Sequence, residues 1–242
     1  MPISLVVELD MPIGFNVAAY DSVNDRVAVL ANPNDSTATW KRNAWSGYAS
    51  AWNGLAYRLC SAVEYDESFG RSIKISTAPA VKERYVQERS LFGCVAAALS
   101  AIECFYMATY CTANALSPSH FPLSIAKHLN QGPKEVAKSY LAWLPNDVFS
   151  QRLSHVANSL ELTELAALRN TLAHRGVLPR QHFLSNVADI PSAVPINPKA
   201  LAEDFAYDAA LSSETTSHHT NWLCETSSHL VAEFDTFLGR FA

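Results

Sequence analysis

Residues 91–113, LFGCVAAALSAIECFYMATYCTA, hold a single charge, Glu103. A run this long and apolar fits either a bilayer or the middle of a helical core. A carboxylate sits at its centre, small and thiol residues dilute it, and no basic cluster follows, so the core is the better home. A helix apolar all round must be surrounded by other elements, which commits the chain to a bundle. Composition agrees. Only 8 of 242 residues are glycine, under half the usual share of about 7%. With 49% hydrophobic and 17% charged residues, the chain has the material for a real core.

The coarse pattern divides at residue 35. Residues 1–35 read as a small antiparallel β-meander, a lid on the helical part. Its expected strands are Ile3–Leu9, Phe15–Tyr20 and Arg26–Leu30, rich in β-branched residues and separated by Pro12-Ile13-Gly14 and Asn24-Asp25. Residues 36–242 read as mainly α. One helix is expected from about Asp35 to Glu67, with Gly70 as its stop and a short strand over Ser72–Ser76. Trp45, Ala49, Trp52, Ala56, Leu59 and Val63 recur on one face of it. The next helix starts at Pro79 and runs to about Thr112. Cys104 and Cys111 share a stripe on it as packed thiols. Shorter helices follow over Lys134–Trp143, Asp147–Asn158 and Glu161–Arg175, the last ended by Gly176. Residues 186–198 read as an extended linker, and a C-terminal helical extension covers 198–241, with a break at 212–216.

Several function classes lack support. No GxGxxG or GxxxxGK[ST] is present, which argues against dinucleotide and P-loop chemistry. GxSxG and HExxH are also missing. The five cysteines form no CxxC pair. His218, His219, Cys224 and His229 make a poor metal set, because a helix scatters them. The aromatic group Trp40, Trp45, Tyr48, Trp52 and Tyr57 is expected to pack the core rather than stack bases. The start Met1-Pro2 lacks a basic n-region, so the expectation is a cytoplasmic protein with reduced thiols and no membrane association.

The net charge of −5 opposes non-specific coating of nucleic acid, but it leaves room for a local basic site. Such a site stands at 164–189, where no acidic residue separates Glu164 from Asp189 and Arg169, His174, Arg175, Arg180 and His182 accumulate. On a helix Asn170 and His174 share a face. Leu165, Leu168 and Leu172 are expected on the opposite, core-facing stripe, which turns the polar set toward solvent. Arginine supplies a fixed fork of donors for phosphate, and histidine moves protons near neutral pH. Metal-free RNA cleavage needs these residue types: a base for the 2′-hydroxyl and a cation for the phosphorane. Glu103, a lone carboxylate in an apolar helix, is expected to be buried and is a candidate to orient Arg169.

Arg169-Asn170-Thr171-Leu172-Ala173-His174, at a helix end, resembles the R-x4-H signature of the HEPN superfamily. The resemblance implies an antiparallel helical bundle and a metal-independent endoribonuclease acting on single-stranded RNA or tRNA loops, without a cofactor. Arg169, Asn170 and His174 would be the catalytic set, in a composite site made by a homodimer, with Arg175 and Arg180 binding RNA phosphate. It also implies a toxin–antitoxin or abortive-infection setting, with a cognate antitoxin or nucleotidyltransferase-type partner. Some members of the superfamily are inactive, so the alternative is a helical module that binds a nucleotide, RNA or protein.

Overall fold

The computed structural model describes residues 9–32, 39–74, 81–123, 131–174 and 213–241, with the backbone alone at Lys74 and His174. Seven helices occur among them: α1 (Val17–Ala31), α2 (Thr39–Lys74), α3 (Val81–Leu116), α4 (Pro133–Trp143), α5 (Val148–Ala157), α6 (Leu160–His174) and α7 (Glu214–Leu238). The helical bundle expected from the sequence is therefore present. The chain divides into two compact units. The first holds Met1–Cys60, Ser100–Ser159 and Leu223–Ala242; the second holds Ser61–Leu99 and Leu160–Trp222.

The N-terminal β addition is not present among the described residues. Val17–Ala31 is one helix where two of the strands were expected; residues 3–8 of the remaining one, Ile3–Leu9, lie outside the described residues. The reason is visible in the spacing. Ala19, Tyr20, Val23, Val27 and Ala31 recur at one, three and four residues and are buried, which is a helical face despite the β-branched content. Asn16 caps the start, its side chain accepting from Ala19 N at 3.0 Å. Asn32 closes the end in the left-handed region, its N–H bonded to Ala28 O.

Gly70 does not stop α2, and residues 72–74 continue it instead of opening a strand. Of the break expected at 212–216, residues 214–216 are helical as the start of α7, and residue 212 lies outside the described residues. By contrast, α4, α5 and α6 lie within a residue or two of their expected bounds. Asp147 explains the start of α5: its carboxylate accepts from the Phe149 and Ser150 amides.

An aromatic cluster fills the first unit. Tyr20 stacks on Trp52 with centroids 4.5 Å apart, and Tyr48 stacks on the same indole at 5.6 Å. Phe105 and Phe234 close on Trp52 from other directions. Phe149, Phe237 and Tyr140 continue the cluster. The phenols find backbone acceptors: Tyr20 on Trp52 O, Tyr106 on Leu153 O and Tyr140 on Thr109 O. Of the five aromatics expected to pack, Tyr48 and Trp52 are buried and Trp45 is half-buried, while Trp40 and Tyr57 are exposed.

Helices α2 and α3 approach closely and antiparallel within this unit. A Cβ placed on Gly47 would meet Cys111 Sγ at 2.7 Å, and one on Gly54 would meet Cys104 Sγ at 2.8 Å. The thiols thus pack over glycines. Cys111 is buried, but Cys104 is only partly so. At the edge, Ser22 and Arg26 of α1 both bind Asp235 of α7, at 2.6 and 2.8 Å.

The second unit is more polar inside. Ser90 donates to Ser68 at 2.9 Å, and Gln87 to Ser72 O at 3.0 Å. Thr216 donates to Asp66 at 2.5 Å, and Cys94 meets Thr220 at 3.4 Å. The Tyr65 ring lies over Gly93, where an added Cβ would stand 2.8 Å from it. By length and composition α3 is long and apolar enough to cross a membrane, and 61% of its most apolar stretch is buried within the protein.

Candidate functional site

Helix α6 carries the RNxxxH string at its C-terminal end. Glu161 in its first turn complements the helix dipole. Leu162, Leu165 and Leu168 are buried, and Thr171 follows them inward, its hydroxyl bonded to Ala167 O at 3.0 Å. Leu172, expected on the core stripe, is only half-buried. A three-residue spacing drifts around a 3.6-residue helix, so the inward face turns as the helix advances.

The position of Arg169 also differs from the expected one. It stands one turn beyond Leu165, on the inward side, and is half-buried. Its Nε is fully buried and has no hydrogen-bond partner among the described residues. The expectation that the whole polar set faces away from its own core is corrected here: Asn170 is exposed, whereas Arg169 lies at the edge of the core. His174 is the last residue of α6, so its backbone sits one turn beyond Asn170 on the exposed face. Its side chain, together with Arg175, Arg180 and His182, lies outside the described residues.

Glu103 requires a second correction. It is exposed rather than buried, because it falls on the solvent-facing side of α3 between the buried Ile102 and Phe105. It belongs to the first unit and Arg169 to the second. The desolvation that was to force Glu103 onto Arg169 is therefore absent.

The histidines of α7 separate as a helix requires. His218 and His229 are exposed, and His219 is buried. Among the described residues no group of three or more His, Cys, Asp or Glu is placed to hold a metal ion. Burial of His219, with a smaller effect of neighbouring His218, pushes its pKa down to about 4. Its Nδ1 has no hydrogen-bond partner among the described residues. Nearby along the same helix, Thr216 binds Asp66, whose carboxyl burial pushes upward despite that hydrogen bond. Nothing in the sequence announced this pairing, since its two residues are 150 positions apart. Comparison with protein-family models, with curated proteins and with solved structures finds no match.

Proposed function

We propose that the protein is a metal-independent endoribonuclease of HEPN type, acting as a homodimer on single-stranded RNA or tRNA loops. The observation that carries this reading is Arg169, a half-buried guanidinium whose Nε has no partner among the described residues, one residue before the exposed Asn170 and five before His174 at the end of α6. A buried donor without an acceptor is costly, and an anion satisfies it best. In the reaction, one His174 takes the proton of the ribose 2′-hydroxyl, whose oxygen attacks the adjacent phosphorus. The Arg169 fork holds the charged phosphorane, and Asn170 positions the chain. The P–O5′ bond breaks, and the second copy of His174 returns a proton to the leaving oxygen. The products carry a 2′,3′-cyclic phosphate and a 5′-hydroxyl. Arg175 and Arg180 would bind flanking phosphates. The setting proposed is cytoplasmic, with a cognate antitoxin or nucleotidyltransferase-type partner controlling the enzyme.

The position of Arg169 at the edge of the core also favours a second reading, a non-catalytic module whose arginine is mainly structural. Cleavage of single-stranded RNA in EDTA separates the two. The enzyme loses cleavage on His174→Ala and keeps its fold. Clean wild-type dimer that leaves RNA intact, or cleavage indifferent to His174→Ala, would establish the binding module instead.

A further inference from the structure

The turn that follows α7, Gly239–Phe241, meets the junction of α4 and α5. Its own backbone bonds run back into α7: Gly239 N–H to Asp235 O at 3.0 Å, Arg240 N–H to Phe237 O at 3.3 Å and Phe241 N–H to Leu238 O at 2.9 Å. Side chains reach the junction instead. The Phe241 ring stacks on Trp143, the last residue of α4, with centroids 6.1 Å apart. Arg240 pairs with Asp147, the residue before α5. Both also cover Phe237. The Arg240 guanidinium lies 4.7 Å from the centre of that ring, and the Phe241 ring 5.2 Å from it. Phe237 is 1% exposed, while the turn over it is open to solvent.

Asp147 divides its carboxylate between two tasks. Oδ1 accepts from the Phe149 and Ser150 amides and caps α5. Oδ2 accepts from Arg240 Nη1. Burial opposes the charge of Asp147, but Arg240 and the two amides outweigh it and hold the carboxyl below its ordinary range. The carboxylate is therefore ionised at neutral pH. The two partners are unequal: the Asp147 side chain is 9% exposed and that of Arg240 52%. The carboxylate is fixed by its cap, whereas the arginine reaches in from solvent. A pair with one member so open contributes little. A turn held in this way opens locally at small cost, without the helices parting.

We propose that Gly239–Phe241 is a strap closed over Phe237 and Trp143, and that the Asp147–Arg240 pair is its latch. When the pair breaks, the strap lifts and bares the aromatic rim of the first unit, while α5 keeps its cap. This device is independent of Arg169 and His174. Substitution separates the latch from the cap. Asp147→Ser keeps an oxygen for the α5 amides and loses the pair. Arg240→Gln loses the pair and leaves Asp147 in place. In both variants of the full chain, amides of Gly239–Phe241 should exchange hydrogen about fivefold faster at neutral pH. The Phe149 and Ser150 amides and the circular dichroism should stay as in the wild type. Fluorine NMR of the fluorotryptophan-labelled protein, with the Trp143 signal assigned by Trp143→Phe, should show that signal moving toward its solvent-exposed position in both variants. Unchanged exchange at Gly239–Phe241, or an unmoved Trp143 signal, overturns the latch. Faster exchange at Phe149 and Ser150 in Arg240→Gln also overturns it, because the pair would then be part of the cap.

Discussion

Burial keeps the imidazole at position 219 uncharged at neutral pH, and that ties stability to acidity. Its pKa is about 4 in the folded chain, against about 6.5 when unfolded. Below about pH 6.5 the unfolded chain binds the proton first, so stability falls as pH drops and stops falling near pH 4. The full loss is roughly 3 kcal/mol at about 1.4 kcal/mol per pKa unit. Urea unfolding at pH 7 and pH 4.5 should show most of this loss, and His219→Phe should remove most of the pH dependence. An unchanged slope in the variant would assign acid sensitivity elsewhere. The two phenols stacked on Trp52 make a second comparison. Tyr20 donates to Trp52 O, while Tyr48 is buried with no partner for its hydroxyl among the described residues. Tyr20→Phe should therefore cost about 1 kcal/mol, and Tyr48→Phe should be neutral or stabilising. Equal costs for both would mean that Tyr48 has an acceptor, such as a buried water. Neither environment was legible in the sequence, which shows that a residue is aromatic or titratable but not what surrounds it.

At the level of the helix, the packing of α2 against α3 depends on side chains that are missing. Gly54→Ala gains about 1 kcal/mol of helix propensity, but its methyl would sit 2.8 Å from Cys104 Sγ, and overpacking of this kind costs about 1–3 kcal/mol. The single change should thus be neutral to destabilising. Combined with Cys104→Ala it should recover, giving a favourable coupling in a double-mutant cycle measured by thermal unfolding. Additive effects would mean that the thiol simply rotates away. The sequence announced helices well where local chemistry marks their ends, as at Pro133, Pro145 and Asp147. It misled where composition and period disagree. Val17, Val27 and Val29 suggested strands, yet the inward spacing of α1 is helical. Gly70 suggested a stop, but it lies inside α2, where an added Cβ would meet Ser213 Cβ at 3.9 Å. On α6 the helix and its RNxxxH string were readable. The half-burial of Arg169 was not, because it depends on which segments pack beside that turn of the helix.

Across the molecule, the two units differ in how they are held. Stacked rings fill the first, while hydroxyls, an amide and a buried histidine occupy much of the second. Polar contacts of this kind contribute less net stability than aromatic burial. Within α7, amides of Glu214–Trp222 should therefore exchange faster than those of Leu223–Leu238, measured by hydrogen–deuterium exchange at neutral pH. Uniform protection along α7 would show that the second unit is as firmly closed as the first. Division of one helix between two units has no signature in sequence, since it arises from contacts between segments far apart along the chain.

The glycine–thiol contacts of α2 and α3 also set how this protein meets peroxide. Cys104 is the more accessible of the two sulfurs, and burial, ahead of the opposing influences of Arg58 and Glu103, raises its pKa and keeps it in the slow-reacting thiol form. Once oxidised, it would carry an extra oxygen into a gap too narrow for a methyl group. Oxidative damage there would act as a wedge, prising the two longest helices apart from within.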